Sequence, residues 1–452
     1  MPKLTLAALA LAVDGELIGN DCDLSGAVAD HRQVKYGHVF FALAGARHDG
    51  HDYVAEAVKS GAAAAIVSRR GSYPCPVVMV PDTRQALGEM AKAYLRGSNA
   101  KVVAITGSVG KTSVKELTAA ALAGTMKVYR SPGNFNTEIG LPLSILNHVD
   151  EEVLVLEMGM RGFGQIAALT EIAPPDVVIM TNVGEAHIEL LGSRANIAQA
   201  KGEILLGMKV GGTAILNRDD DFYDFHLALS TGPVLAVGHH RDADLRIAGV
   251  KLDEKGNCHY TLHSGAEAWQ VKTRWPGRHN AENSAMAIAA AVVLGVDIAQ
   301  AIVGIENCHI ASQRLEIIAV PRGYTLMDDT YNASPSSVVA ALNTLGEFAG
   351  TRRKIAVLGS MFELGERSFS AHQEVGEAAN KVCDLVLTLG QEAQVISRVT
   401  KGAGVRTFHC IDVSQILEVL RAELQQGDVV LVKGSRGMQM ERITAVLRRG
   451  EV

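Results

Sequence analysis

The sequence predicts an α/β protein of three domains: a small α/β N-terminal unit, a central parallel-sheet unit, and a C-terminal, Rossmann-like doubly wound unit. Three observations carry that expectation. Short β-branched runs alternate with helical patterns across residues 100–312 and again beyond 313. The first run, Lys101 to Thr106, breaks into a glycine-rich turn that opens a helical pattern. Before it the strands are shorter, and Gly97-Ser-Asn99 marks a change of pattern. Boundaries are therefore drawn at 1–98, 99–312 and 313–452. A chain of 452 residues accommodates about two to four domains, each able to bury a core.

In chain order, Lys3 followed by Leu4 to Val13 faintly resembles a secretory signal, but the apolar region is short and has a single positive charge. An amphipathic first helix is the expectation. Strands are expected at His38 to Leu43, Ala63 to Val67 and Val77 to Val80 in the first unit. In the second they fall at Val102 to Thr106, Val153 to Glu157, Val177 to Thr181 and Thr213 to Leu216. Asp244 to Lys272 alternates apolar and polar residues, which predicts inserted antiparallel strands. The longest apolar stretch, Ala285 to Val296, is Ala-rich and too short to span a bilayer. Strands resume at Lys354 to Gly359, Leu385 to Gly390, Val405 to Phe408 and Asp428 to Lys433. Here Gly359-Ser-Met-Phe-Glu-Leu-Gly365 lacks Gly-x-Gly-x-x-Gly, which excludes nicotinamide dinucleotide binding.

A hydrophobic content of 48% and a charged content of 20% are those of a soluble globular protein. The net charge of -6 offers no face for a polyanion, so nucleic acid is not an expected partner, and the chain is not expected to be embedded in a membrane. Six cysteines (Cys22, Cys75, Cys258, Cys308, Cys383, Cys410) are far apart, with no Cys-x-x-Cys. That pattern fits reduced thiols in a cytoplasmic compartment.

Lys101-Val-Val-Ala-Ile-Thr-Gly-Ser-Val-Gly-Lys-Thr112 is the most informative stretch. Its order of strand, glycine turn and helix start is what a triphosphate cradle needs: glycines let the backbone wrap phosphates, and amides at a helix N-terminus face the anion. Gly107, Ser108, Val109, Gly110, Lys111, Thr112 and Ser113 form the expected nucleotide loop, with Lys111 reaching the β/γ-phosphates and the Thr112 hydroxyl available to Mg²⁺. The generic spacing places a glycine where this chain has Ile105; the tighter Thr-Gly-Ser-x-Gly-Lys-Thr form remains. The central unit is accordingly read as a P-loop ATPase domain, and ATP as its ligand.

Further chemistry gathers at the ends of central strands, where open α/β sheets build sites. Glu157 ends the run Val153 to Leu156, and a carboxylate there suits a Mg²⁺ ligand. His187 falls in the loop after the strand at 177–181. Taken singly, such a histidine is more often solvated or packed than a ligand, and Ala200-Lys-Gly-Glu203 reads as a solvated helix face. Asn134-Phe-Asn136 with Thr137, Asn280 with Asn283, Gln313-Arg314, and Asp328-Asp-Thr-Tyr-Asn-Ala-Ser-Pro335 each have a bland reading as turn or cap chemistry. Together they outnumber what caps require.

In this order the segments resemble the Mur ligase family, over essentially the whole chain. Shared signals are Thr106 to Thr112, Glu157, His187 with Glu189, Lys201 and Arg314. Asn134-Phe-Asn136, Asp328 to Ala333, Leu358 to Gly365 with His372, and Val432 to Met438 select the branch that adds D-alanyl-D-alanine. The resemblance implies an ATP-dependent amide ligase joining that dipeptide to UDP-MurNAc-tripeptide through an acyl phosphate in peptidoglycan synthesis, acting as a cytoplasmic monomer. It implies a uridine-nucleotide domain at 1–98, contributing Arg32 and Phe41, an ATP domain at 99–312, and a dipeptide domain at 313–452. By the same resemblance Thr112 and Glu157 hold one Mg²⁺, while His187 and a carbamylated Lys201 hold a second, with Lys111, His187 and Lys201 as the catalytic group. Asn283, Arg314, Asp329, Tyr331 and Asn332 grip the nucleotide; Asn134, Asn136, Thr137, Lys433, Ser435 and Arg436 contact the other substrates. Three departures touch substrate contacts: His31 at a small hydroxyl position, Ser334 for Asn, and Ser360 for Asp. A diamino-acid-adding ligase, a folylpolyglutamate synthase-like enzyme, and a P-loop motor or transporter ATPase are the alternatives; neither of the two ligases is expected to carry Asp-Asp-Thr-Tyr-Asn-Ala.

Overall fold

The computed structural model describes residues 4–45, 48–309 and 312–452, and within them the chain folds around three sheets. Lys3, part of the expected N-terminal segment, lies outside the described residues, as do 310 and 311 beside the expected 312/313 boundary. The first helix runs Leu6–Ala12, opened by Thr5, whose hydroxyl accepts the Ala8 amide at 3.1 Å. The N-terminal sheet has the order Glu16–Ile18, Val77–Met79, Ala64–Val67, His38–Phe41, Gly26–Val28, parallel except for the first strand. Glu16–Ile18 and Gly26–Val28 were not expected; at three residues each, neither carries a readable period.

The central sheet has nine strands. Its phosphate-loop strand, Lys101–Thr106, lies between Val153–Glu157 and Val177–Met180, parallel to both, with Ile105 opposite Glu157 and Thr106 opposite Met180. This register brings Glu157 and the residues after Met180 to the edge where the glycine turn leaves the sheet. All three strands are buried on both faces, as a helix-covered parallel sheet requires. Val128–Arg130 and Val234–Gly238 extend the sheet beyond the expected strands. The alternating insertion forms Leu245–Leu252, Asn257–Ser264 and Glu267–Pro276; it is antiparallel within itself, but its first strand pairs parallel with Val234–Gly238, so it lengthens the sheet. The Ala-rich stretch lies up to Val293 in the helix His279–Val293, whose alanines are buried in the core shared with the helix Lys111–Ala123, and its last three residues follow the helix end.

The C-terminal sheet has the order Glu316–Ala319, Thr325–Asp329, Val429–Lys433, Lys354–Gly359, Leu385–Leu389, Arg406–Cys410, with only the first strand antiparallel. Apolar layers cover both of its faces. Glu316–Ala319 and Thr325–Asp329 were also not expected. Acidic residues at their ends blur the pattern, because Arg448 pairs with Glu316 at 2.5 Å and with buried Asp328 at 2.7 Å.

Candidate active site

The glycine turn is held from beneath by the neighbouring strand. Ser108 and Val109 donate their amides to the Asn182 carbonyl and side-chain oxygens at 2.9 and 3.0 Å, and the Thr181 hydroxyl donates to the Val109 carbonyl at 2.6 Å. These amides are thus spent on Asn182, and an anion is left the first helical turn from Lys111, whose amides have no intrahelical acceptor. Gly110 takes φ +89°, and a Cβ there would stand 2.8 Å from Asn283 Oδ1. Lys111 Nζ donates to the Gly107 carbonyl at 2.7 Å. Burial pushes its ammonium pKa down, against the pull of Glu157.

Glu157 is fully enclosed and its two oxygens are shared out. The Thr112 hydroxyl donates to Oε2 at 2.8 Å and Asn136 Nδ2 to Oε1 at 2.8 Å. The loop bearing Asn136 is anchored by Lys115, a residue sequence reasoning passed over. Its completely buried Nζ donates to the carbonyls of Ser131 at 2.7 Å and Gly133 at 2.8 Å. The available signal was a lysine on the apolar face of the helix, between Val114 and Thr118.

His187 sits where the loop turns into the short helix Ile188–Leu191, with φ +66°. Burial lowers its pKa, partly countered by Glu363 of the C-terminal unit, whose Oε2 lies 2.7 Å from Nδ1. Lys201 lies in the helix Arg194–Leu206, 2% exposed, and makes no hydrogen bond or ion pair among the described residues. Burial and the neighbouring Lys111 drive its pKa well below the usual lysine value. The solvated-face reading of this helix does not hold. Glu203, the one nearby carboxylate on the helix, accepts the Gly164 and Ala167 amides at 2.7 and 3.1 Å, at the start of the helix Gln165–Ile172.

The C-terminal unit supplies the opposite wall. Arg314 lies 4.0 Å over the ring of Tyr331, between Gln313 and Leu315, which both take positive φ. One face of Tyr331, a residue expected to grip the nucleotide, thus carries a guanidinium. Lys433 Nζ donates to Asp329 Oδ2 at 2.6 Å and to the Asn332 carbonyl at 2.9 Å. Ser435 Oγ accepts the Phe362 amide at 2.9 Å, and Arg436 reaches Gln313 Oε1 at 3.2 Å. Of the departures, buried Ser360 accepts the Ala393 amide at 3.1 Å, Ser334 precedes the helix Pro335–Ala349, and His31 stacks on Tyr53 with ring centres 4.6 Å apart.

One cleft of about 1900 Å³ between the central and C-terminal units gathers most of the expected set. Residues 108–113, Asn134, Asn136, Thr137, Glu157, His187, Lys201 and Asn283 line it from one side; Arg314, Asp329, Tyr331, Asn332, Lys433, Ser435 and Arg436 line it from the other. Three expected residues stand outside. Gly107 is backed by Thr181, leaving no room for a Cβ. Arg32 pairs with Asp30 at 2.7 Å on the N-terminal unit. Phe41, expected at the substrate, has its side chain completely buried in the N-terminal core, where it points inward from His38–Phe41.

A phosphate loop with a hydroxyl–carboxylate pair, facing a basic wall from a second parallel-sheet unit, defines a multidomain P-loop nucleotide-using protein. The comparisons narrow the class. Family models match three stretches: the Mur ligase family catalytic domain at 25–95, the Mur ligase middle domain at 105–291, and the Mur ligase glutamate ligase domain at 313–436. The UDP-N-acetylmuramoyl-tripeptide–D-alanyl-D-alanine ligase of Escherichia coli (strain K12) is 35% identical over 452 residues, with 99% of each chain covered. The crystal structure of MurF from Acinetobacter baumannii matches with a TM-score of 0.89 at 28% identity, over 99% of this chain and 100% of that one. MurF ligase from Thermotoga maritima in complex with ADP matches with a TM-score of 0.81 at 33% identity, over 94% and 97%. The chain belongs to the Mur ligase family.

Proposed function

We propose that this chain is an ATP-dependent ligase that joins D-alanyl-D-alanine to the free carboxylate of UDP-N-acetylmuramoyl-tripeptide, releasing ADP and phosphate. The observation that carries this reading is the convergence of Lys111, the Thr112–Glu157 pair, His187 and Lys201 on one cleft. Full-length similarity to ligases of that name, one of them solved with ADP, supports it.

An oxygen of the tripeptide carboxylate attacks the γ-phosphorus of ATP, and ADP leaves. The dipeptide amine then attacks the acyl phosphate carbon, and the tetrahedral adduct collapses with loss of inorganic phosphate. Two anions meet in the first step, so the walls supply positive charge: Lys111 at the phosphates, Arg314 from the far side. Asn283, Asp329, Tyr331 and Asn332 frame the nucleotide, Asn134, Asn136 and Thr137 border the tripeptide end, and Ser435 and Arg436 receive the dipeptide. Residues 1–98 hold the uridine nucleotide, 99–312 ATP, and 313–452 the dipeptide. The enzyme works as a monomer in the cytoplasm. No helix among the described residues is long and apolar enough to cross a membrane.

The donor set fits Mg²⁺. Among the described residues no three His, Cys, Asp or Glu cluster together, and Mg²⁺ takes few protein ligands, completing its shell with phosphate and water. Thr112 with Glu157 would hold one ion, His187 with Lys201 another, and bound Mg²⁺ would neutralise charge on the transferring phosphoryl group. Lys201 serves in this role as a carbamate. Its buried nitrogen has no counter-ion among the described residues and is driven toward the neutral amine, which adds to CO₂ and releases a proton to give the carbamate.

Mass spectrometry of the product from ATP, UDP-MurNAc-tripeptide and D-alanyl-D-alanine is the test. A product at the summed mass less one water is expected, with phosphate release dependent on both substrates. Phosphate release that ignores both would instead indicate a simple ATPase.

A further inference from the structure

A short segment of the C-terminal unit meets the loop that carries His187, with every second residue, Glu363, Gly365 and Arg367, facing it. Glu363 places Oε2 2.7 Å from His187 Nδ1 and Oε1 3.7 Å from Arg161 Nη2. Gly365 follows with φ +52°, a conformation that favours glycine, and a Cβ there would press on Glu189 at 3.1–3.3 Å, so the glycine eases this close seating. Arg367 is ion-paired with Glu185 and also holds Glu374 at 2.8 Å. Independently of these contacts, Glu363 at φ +62° and His187 at φ +66° both take left-handed backbone, which non-glycine residues rarely adopt. Strain of this kind persists where surrounding contacts over-determine it, and it clusters at functional loops.

From this pairing we propose that Glu363 and Arg367 are positioning residues for ligation: a clasp across the cleft that fixes the Glu185–His187 loop when the C-terminal unit is seated. The proposal rests on the reading above for the reaction it serves. Glu363 Oε2 lies beside Nδ1 without the alignment of a hydrogen bond, so the contact is one of charge; it biases the ring toward the carboxylate and leaves Nε2 as its free nitrogen, the side a carboxylate partner of a ligating histidine leaves open. His187 lies in a loop with only one short helix behind it. Without Glu363 the ring keeps no charged partner at Nδ1, and without Arg367 the Glu185 carboxylate loses its cation. Both partners come from the opposite unit, so the loop reaches its working geometry only in the closed molecule.

The test uses the full chain and pairs kinetics with a distance measurement. Spin labels replace exposed Val210 and Ile411, on the central and C-terminal units, with Cys22 and Cys75 changed to serine. Interspin distances are read with ADP and Mg²⁺ present. Glu363→Gln, nearly isosteric and half-exposed, should lower kcat by about ten- to a hundredfold, as a misplaced catalytic group does, with the ADP dissociation constant changed less than about threefold. Arg367→Glu should lower kcat similarly and broaden the distance distribution. The exchanged pair Arg367→Glu with Glu185→Arg should restore the narrow distribution and at least about a third of the lost rate. Wild-type kcat and distances in both single variants overturn the clasp, as does an exchanged pair no better than Arg367→Glu alone. If instead the wild-type protein makes no ligation product, the reading of the reaction fails, and the distances still report on the clasp.

Discussion

Lys115→Met removes a buried ammonium while keeping a side chain of similar length, and its effect can be worked from the structure. The Nζ atom donates to two carbonyls, Ser131 at 2.7 Å and Gly133 at 2.8 Å, and lies 3.4 Å from Glu116. Hydrogen bonds from a charged donor contribute about 1.5–3 kcal/mol each; the interior Ser131 carbonyl forfeits its bond outright and the more open Gly133 carbonyl part of its own, together at most about 3–6 kcal/mol. Burial already penalises this ammonium, lowering its pKa, so removing the charge returns part of that loss. The net expectation is about 2–4 kcal/mol of destabilisation in the central unit, or about 4–16 °C in its melting transition. Calorimetry measures it, with the central transition identified as the one ADP and Mg²⁺ raise. Function should suffer through the loop. Ser131 and Gly133 lead into Asn134-Phe-Asn136, and Asn136 holds Glu157, so ligation should fall by about tenfold or more at a temperature where the variant is folded. A transition within about 1 °C of wild type together with unchanged ligation would refute the reasoning.

Lys111→Ala should leave the fold intact and lower ligation by about 10²–10³, the usual worth of a preorganised electrostatic group; retention of more than half of kcat would remove its assignment. Lys201→Ala should abolish nearly all activity, with acetate restoring part of it by standing in for the lost carboxylate; full activity without acetate would exclude the carbamate. Arg436→Ala should raise the dipeptide KM by about tenfold or more while the ATP KM moves little, since a guanidinium grips a carboxylate bidentately. Equal effects on the two KM values would take Arg436 out of dipeptide recognition.

The legible parts of this sequence are those where local chemistry is decisive. The phosphate loop could be read because a β-branched run, two glycines and Lys111-Thr112 each demand a particular backbone. Glu157 could be read because it ends an apolar strand, and the register opposite Ile105 then carries it to the loop. Three-residue strands such as Gly26–Val28 have no period to read. That Phe41 is buried could not be read, because a short run of apolar residues does not reveal which side chain faces the core. Lys115 was missed because an isolated lysine in a helix ordinarily snorkels to water, and only the fold brings two carbonyls to it. The Glu363–His187 pair joins loop residues far apart in sequence on different units, which no local pattern encodes.

The same distinction decides how the cleft's positive charges divide. In the sequence Lys433 and Arg436 stand three residues apart and look interchangeable as ligands for a carboxylate. The C-terminal register separates them: Asp329 lies directly opposite Lys433, and their side chains meet at 2.6 Å with Lys433 almost completely buried. Lys433 is therefore largely neutralised within its own unit, where it also fixes the Asn332 carbonyl. Arg367 is similarly engaged by Glu185 and Glu374. Arg436 keeps a guanidinium that is 59% exposed, with Glu441 no closer than 3.6 Å. An incoming carboxylate can compete for that group at small cost, because an exposed ion pair contributes about 1 kcal/mol or less. Competing for Lys433 would strip a partly buried aspartate of its partner and break the hold of an almost completely buried lysine on the Asn332 carbonyl. Of Lys433, which ends its strand, and Arg436, three residues beyond, the arginine is the one whose charge the proposed reading leaves available to the dipeptide carboxylate, while the lysine holds Asp329 and the Asn332 carbonyl in place.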